Sequence, residues 1–224
     1  MNVEITLLAM MLAAYLLGSI PFGLLVGLWR GIDPRKAGSG NIGATNLGRL
    51  LGGRYFALVF TLDALKGMLP VAAAGFVVRG HDSGPQYTIY VFMWIAVGFC
   101  AILGHMFSLF IGFKGGKGVA TSVGMALGVW PYFTVPAIFA LTVFVVVFKL
   151  SGYVSLASII AAIVYPLLLV AIGLWQHWPI FAGLWPLLAF CTLVSAMIVY
   201  RHRGNIRRLR DGTEHRFGPR GSAA

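Results

Sequence analysis

Seven apolar segments set the limits on what this chain can become. They run at 4–29, 54–78, 87–111, 118–130, 132–149, 153–175 and 179–200. About 20 apolar residues cross a hydrocarbon core, and a helix satisfies its own backbone hydrogen bonds there. The first three segments and the last two are long enough to cross singly. The middle pair is short and is separated by Pro131 in "WPYF"; two short helices or one bent excursion both suit it. The chain is therefore expected to be an all-α integral membrane protein, one membrane-embedded unit over 1–224 with about seven transmembrane helices. Charged residues make up 10% of it, against about 25% in soluble domains. The polar stretches, 30–54 and the tail from Arg201, are too short to bury cores of their own. The first segment lacks a basic leader and is too long for a signal-peptide core, so it reads as a retained span. Cys100 and Cys191 stand alone in apolar segments and read as core thiols, with no disulfide or metal framework.

A net charge of +11 suggests a nucleic-acid partner at first, but topology explains it without one. With seven spans and the N-terminus outside, the inner side receives Arg30, Arg35, Lys36, Arg49, Arg54, Lys114, Lys117, Lys149 and every basic residue from Arg201 on. The outer side receives Arg79, and Lys66 falls inside a span. Basic residues favour cytoplasmic loops, so the C-terminus is expected inside. Trp175, Trp178 and Trp185 near one boundary fit an interfacial belt. On this topology "GSGNIGATN" (38–46), "GFKGGKGVAT" and "RHRGNIRRLRDGTE" all lie on the cytoplasmic side. The starts of the helices carrying Asp63, Lys66 and Ser155 lie there too, so one shared site is expected.

The loop 38–46 holds a phosphate-binding inventory. Gly38, Gly40 and Gly43 let backbone amides approach a ligand, and runs of such amides make anion nests. Ser39, Asn41, Thr45 and Asn46 add side-chain donors, and Arg49 adds a charge. It is not a P-loop, since it follows no strand. A plain flexible loop, or one whose glycines let helices pack, has the same composition. In "FKGGKGVATS" two lysines flank Gly115 and Gly116, and a helix starts just after. Helix N-termini attract anions and disfavour cations, so Lys117 at that terminus suits work on a ligand. The positive-inside rule alone accounts for Lys114.

Asp63 and Lys66, in "TLDALKG", share a helix face at i and i+3, about 14–18 Å into their span at 1.5 Å per residue. Charges so deep mark either a site or an internal ion pair. Ser155 and Ser158 sit near the start of the sixth span, where a serine most often bonds its own i−4 carbonyl. His105 closes the third span and reads as structural. His202 and Asn205 share a face if their helix continues; surrounding arginines favour a neutral imidazole, able to accept a proton or orient a hydroxyl. Those arginines also suit anionic head groups. "GLLVG" (23–27) and "GMALG" (124–128) are small-xxx-small patterns that pack helices.

Together these residues resemble one family, the bacterial acyl-phosphate:glycerol-3-phosphate acyltransferases (PlsY). The similarity runs the whole chain: "GSIPFG", "GSGNIGATN", "LDALKG", "LGH…FKGGKGVAT", "VSLASI" and "HRGNIRRLRDGTE", in order. The resemblance implies a seven-helix enzyme of the bacterial inner membrane, N-terminus outside and site facing the cytoplasm. Its substrates would be acyl phosphate and glycerol 3-phosphate, its product lysophosphatidic acid, with no metal or other cofactor. It maps a phosphate-holding loop onto Ser39, Thr45, Asn46 and Arg49, and further site residues onto Lys117, Ser155, His202 and Asn205. Ile42 and Ser108 stand where proline is common in the family, and neither is expected to supply a functional group.

The residue types suit that chemistry. Acyl phosphate is an activated mixed anhydride, so its phosphate leaves with little help. Backbone donors, Lys117 and Arg49 can offset repulsion between two phosphates and stabilise an oxyanion, and positioning supplies much of the rest. Direct transfer is expected, since no Ser–His–Asp or Cys–His pattern appears. His202, a substrate phosphate oxygen and Asp63 are candidate bases. No histidine has Asp at i+5, which excludes the H-x4-D acyltransferases. A transporter for a small organic phosphate is the alternative, though its anion-binding groups would cluster on one side only. A structural membrane protein would leave the first loop unexplained.

Overall fold

The computed structural model describes residues 2–79, 81 and 86–217; Arg220, counted above with the basic tail, lies outside them. The first apolar segment forms α1 (Val3–Ser19) and α2 (Phe22–Trp29), interrupted at Ile20 and Pro21. Pro21 has no N–H to continue the ladder. The carbonyls freed at the break are taken by side chains: Lys66 Nζ donates to Ile20 at 2.8 Å, and Ser108 Oγ donates to Ser19. Ser108 therefore does supply a working group, as a staple between α5 and the break.

The polar stretch after α2 is less irregular than its composition suggests. It contains α3 (Ala44–Leu51), an amphipathic helix that buries Leu47 against Tyr55 and Val59. Then follow α4 (Gly53–Val78), α5 (Tyr87–Met106), α6 (Val119–Gly128), α7 (Thr134–Ser151), α8 (Val154–Trp175), α9 (Trp185–Arg201) and α10 (Arg203–Arg210). Among the described residues, five spans are long and apolar enough to cross a membrane: α1–α2 together, α4, α5 with its following turn, α7 and α8. A sixth arises if α9 and α10, bent by 52°, count as one. The segment at 118–130 yields only the ten residues of α6, about 15 Å of helix, half a hydrocarbon core.

Glycines set how closely the helices approach. A side chain at Gly67 would meet Thr121 and one at Gly124 would meet Ala64, so α4 and α6 cross backbone to backbone. Gly18 and Gly104 do the same for α1 and α5. "GMALG" thus packs α6 on α4, as expected. "GLLVG" does two things: Gly23 faces Ile42 of the loop and Val59 of α4, and Gly27 faces Ile32 and Pro34, so α2 packs against both the loop and α4. Large apolar side chains lie on the outside, with Leu150, Trp175 and Phe76 at least 70% exposed. That inversion of a soluble protein's surface suits lipid.

Candidate active site

The loop before α3 is built around one side chain. Asn46, buried in the first turn of α3, accepts from the Ser39 amide at 2.9 Å. Its amide nitrogen donates to the carbonyls of Pro34, Ala37 and Asn41 at 3.1, 3.1 and 2.8 Å. The Asn46 amide, expected among the ligand-holding groups, lines the cavity and also ties the loop together. Asn41 likewise accepts from the Gly43 amide at 2.8 Å, in an Asx turn. Gly38 and Gly40 hold φ of +60° and +71°, which favours glycine, and a side chain at Gly38 would collide with Asn46. These two glycines shape the loop and do not line the cavity it borders. Ser39, Asn41, Gly43, Thr45, Asn46 and Arg49 do line it. Arg49 donates to the His215 carbonyl at 2.8 Å, and its buried Nε–H has no partner among the described residues.

The second glycine loop departs further from expectation. Gly115 and Gly116 donate their amides to the carbonyls of Met106 and His105 at 3.1 and 3.0 Å. Their own carbonyls accept from Arg201 at 2.8 and 2.7 Å. Both glycines are spent on the backbone of α5 and lie outside the cavity lining. They are glycines because a side chain would run into His105 or Met106. Gly118, Val119 and Ala120 line the cavity instead, at the start of α6, where an α-helix leaves its first N–H groups without intrahelical partners. Lys117 lies beside them in the same wall.

The third contribution comes from the turn between α9 and α10. The helix does not continue as expected; it bends at His202, and the bend itself brings His202 and Asn205 into the cavity. Lys117 donates to Asn205 Oδ1. Asn205 in turn donates to Glu214 Oε1 at 2.7 Å, Ser155 Oγ donates to the same oxygen at 2.8 Å, and Arg208 Nε donates to Glu214 Oε2 at 2.7 Å. Glu214 is the hub of the site, and sequence reasoning missed it. A carboxylate nine residues past Asn205, in a basic tail that also holds Asp211, carries no periodic or spacing signal. Ser155 escapes the i−4 bond expected of it; Ser158 makes that bond, to Val154 at 2.8 Å.

Electrostatics follow from this network. Burial pushes the Lys117 ammonium down to about 8, and Glu214 opposes that against the repulsion of Arg208, Arg49 and Arg201. Burial, aided by Lys117, pushes His202 down to about 4, so its imidazole is neutral near pH 7. Its Nδ1 lies 2.8 Å from the Ile198 carbonyl; it donates there, which leaves Nε2 with a free lone pair. Burial favours a protonated Glu214, but the donors Asn205, Ser155 and Arg208 outweigh it and hold the carboxyl below its usual range.

Asp63, the third candidate base, is engaged in an ion pair with Lys66 at 2.8 Å and approaches His105 Nδ1 at 3.5 Å. Among the described residues no cluster of His, Cys, Asp or Glu could hold a metal ion. The polar cavity has a volume of about 100 Å³, and it adjoins an apolar one of about 120 Å³. Phe60, Val119, Phe144 and Ser158 line both. Such a junction can hold an anionic head and an apolar tail together.

Known proteins share this arrangement of sequence and fold. A family model described as glycerol-3-phosphate acyltransferase matches residues 8–212. The chain is similar to the glycerol-3-phosphate acyltransferase of Aquifex aeolicus, 43% identical over 94% of this chain and 98% of that one. It is similar to that of Geobacter sulfurreducens, 44% identical over 91% and 94%. Its fold matches the crystal structure of PlsY, an integral membrane glycerol 3-phosphate acyltransferase, in the glycerol 3-phosphate form, with a TM-score of 0.80 and 42% identity over 95% of this chain and 96% of that one. The lysophosphatidic acid form of PlsY matches with a TM-score of 0.78. Family model, relatives and fold agree along nearly the whole length, and the chain belongs to the glycerol-3-phosphate acyltransferase family.

Proposed function

We propose that this chain transfers a fatty acyl group from acyl phosphate to the sn-1 hydroxyl of glycerol 3-phosphate at the cytoplasmic face of a bacterial inner membrane. The observation that carries this reading is the junction of the two cavities. A phosphate head meets Lys117, Arg49 and the first amides of α6, while the acyl chain enters the apolar wall beyond Val119 and Ser158. The glycerol 3-phosphate and lysophosphatidic acid forms of PlsY support that acceptor and product.

The hydroxyl oxygen attacks the acyl carbonyl carbon. The bond from that carbon to the bridging phosphate oxygen then breaks, and phosphate leaves with the electron pair. No acyl-enzyme intervenes. Lys117 and the α6 amides stabilise the developing oxyanion and the departing phosphate. Two groups can take the hydroxyl proton: neutral His202 at Nε2 and a phosphate oxygen of the donor. Ser155 and Asn205, oriented by Glu214, hold the acceptor in line.

The same reading sets the topology. The basic residues fall mostly in the connections 30–54 and 114–117 and in the tail from Arg201, and the rule that such residues favour the cytoplasm supports a site inside and an N-terminus outside. In that arrangement α9 and the short α6, extended by the apolar residues that flank it, account for the remaining two of seven crossings.

Purified protein given palmitoyl phosphate and glycerol 3-phosphate is expected to release lysophosphatidic acid and phosphate in equal amounts. Labelled donor supplied alone should leave no acyl ester on Ser39 or Ser155; a trapped ester would overturn direct transfer. Absence of product, with glycerol 3-phosphate uptake into proteoliposomes, would overturn the enzymatic reading in favour of transport.

A further inference from the structure

Three titratable side chains are buried where the proposed reaction does not use them. Asp63 and Lys66 are 2% exposed and His105 is 6% exposed, all within apolar helices. Charges in such places are costly, and well-packed apolar residues are often as stable. Stability alone therefore does not explain them. Their contacts point elsewhere. Lys66 Nζ lies 2.8 Å from Asp63 Oδ1 and donates at 2.8 Å to the Ile20 carbonyl, at the break between α1 and α2. Three residues on, Gly23 abuts the Ile42 carbonyl in the 38–46 loop. In the other direction, Asp63 Oδ1 lies 3.5 Å from His105 Nδ1. The His105 ring sits against Gly116, where any side chain would overlap its Nε2. The His105 carbonyl also accepts from the Gly116 amide at 3.0 Å. Lys117 is the next residue. Asp63 and His105 line the polar cavity as well.

We propose that Asp63, Lys66 and His105 form a buried clamp that sets the spacing of the two glycine-rich loops, with His105 the positioning residue for Lys117. The clamp runs from Ile42 through Gly23 and the helix break to Lys66, Asp63, His105 and Gly116. It acts through the loops: the His105 ring fixes the Gly116 backbone and so the direction of Lys117. The helix break makes this possible, because an unbroken first helix would offer Lys66 no free carbonyl. Lys66 thus ties the first loop to the second at the break, where the Ile20 carbonyl has lost its helical i+4 partner and otherwise accepts the Phe22 amide at 3.1 Å.

The proposal rests on glycerol 3-phosphate being the ligand, and its test separates the two. Product formation by the wild type tests the acyl-transfer reading. The clamp is tested without turnover, by the glycerol 3-phosphate concentration that gives half-maximal thermal stabilisation. His105→Ala and Lys66→Met are expected to raise that concentration about tenfold, within the range seen when positioning contacts are lost. His105→Gln, which keeps a polar group against Asp63, should stay within about threefold of wild type. Ile95→Ala, a buried α5 site away from the loops, should lower the unfolding midpoint of the ligand-free protein without moving the half-maximal concentration. The clamp is overturned if His105→Ala and Lys66→Met lower the midpoint like Ile95→Ala and leave glycerol 3-phosphate affinity unchanged. It is also overturned if His105→Gln loses turnover as fully as His105→Ala with affinity intact, which would make His105 a catalytic group. Should the alanine variant not fold, the affinities of His105→Gln and Lys66→Arg decide: both near wild type support the clamp, and a tenfold loss in His105→Gln overturns it.

Discussion

Replacing Glu214 with Gln should expose the logic of the site most sharply, because shape is kept and only charge is lost. In the native site the carboxylate accepts from Ser155 and Asn205 on one oxygen and from Arg208 on the other. Hydrogen bonds to a charged partner contribute about 1.5–3 kcal/mol, and neutral ones about 1. A glutamine can keep its oxygen toward Ser155 and Asn205, weakening each bond by about 1 kcal/mol. Its NH2 then faces Arg208, and that bond is lost. Arg208 is 39% exposed, so water screens the loss to about 1 kcal/mol. The sum is about 3 kcal/mol. By the scaling of globular domains of this size that corresponds to a fall of about 6–12 °C in unfolding midpoint, readable by intrinsic fluorescence in detergent. A second effect is independent of folding. Glu214 is the group that opposes the downward push on Lys117. Without it the ammonium loses its proton below about 8, and the alkaline limb of the rate profile should move to lower pH. An unmoved limb in a folded Glu214→Gln protein would refute the link between Glu214 and Lys117.

Further expectations follow from the same contacts. Wild-type affinity for glycerol 3-phosphate should fall as pH rises through about 8, where Lys117 loses its charge; in Lys117→Arg the limb should shift upward even if turnover drops, since arginine stays protonated. His202 is held at about 4 in the fold against 6.5 when free, so the unfolded chain takes up the proton first. Its contribution to stability, about 3 kcal/mol at most, is complete above pH 6.5 and is lost as pH falls toward 4; His202→Gln should flatten that part of a stability profile. The same variant tests the base: full turnover would assign the proton to a phosphate oxygen, and a loss of about 10²-fold or more would assign it to His202. Asn46→Ala removes the framework of the first loop and should raise the KM for glycerol 3-phosphate, with a stability loss of about 2–4 kcal/mol checked by thermal unfolding. Gly124→Leu should force α4 and α6 apart and yield no monodisperse protein on size exclusion.

How much of this was legible in the sequence depended on whether a residue's role is local. Long apolar runs announce spans by themselves, and α4, α5, α7 and α8 fell where they were expected. The short run at 118–130 did not reveal its length, because its apolar character continues into loop residues that do not form helix. The loop 38–46 was legible as a special stretch but not in its division of labour. Composition cannot tell an asparagine that only meets ligand from one that also holds the loop, and Asn46 makes four loop hydrogen bonds while lining the cavity. The Gly-Gly pair was opaque for the same reason: Gly115 and Gly116 have His105 and Met106 against them, a contact made from the end of α5 that composition does not show. His202 and Asn205 were placed together correctly, but by a bend rather than by helical periodicity. Glu214 was invisible because its meaning comes from Ser155, 59 residues away.

The most direct measurement compares donors at one site. Purified protein would receive glycerol 3-phosphate with either palmitoyl phosphate or palmitoyl-CoA, beside a Lys117→Ala sample shown by thermal unfolding to be folded. Lysophosphatidic acid formed from palmitoyl phosphate alone, and lost in Lys117→Ala, is the predicted result. Equal product from palmitoyl-CoA, or full activity in the Lys117→Ala protein, would contradict the assignment of acyl phosphate to the Lys117–Asn205–Glu214 site.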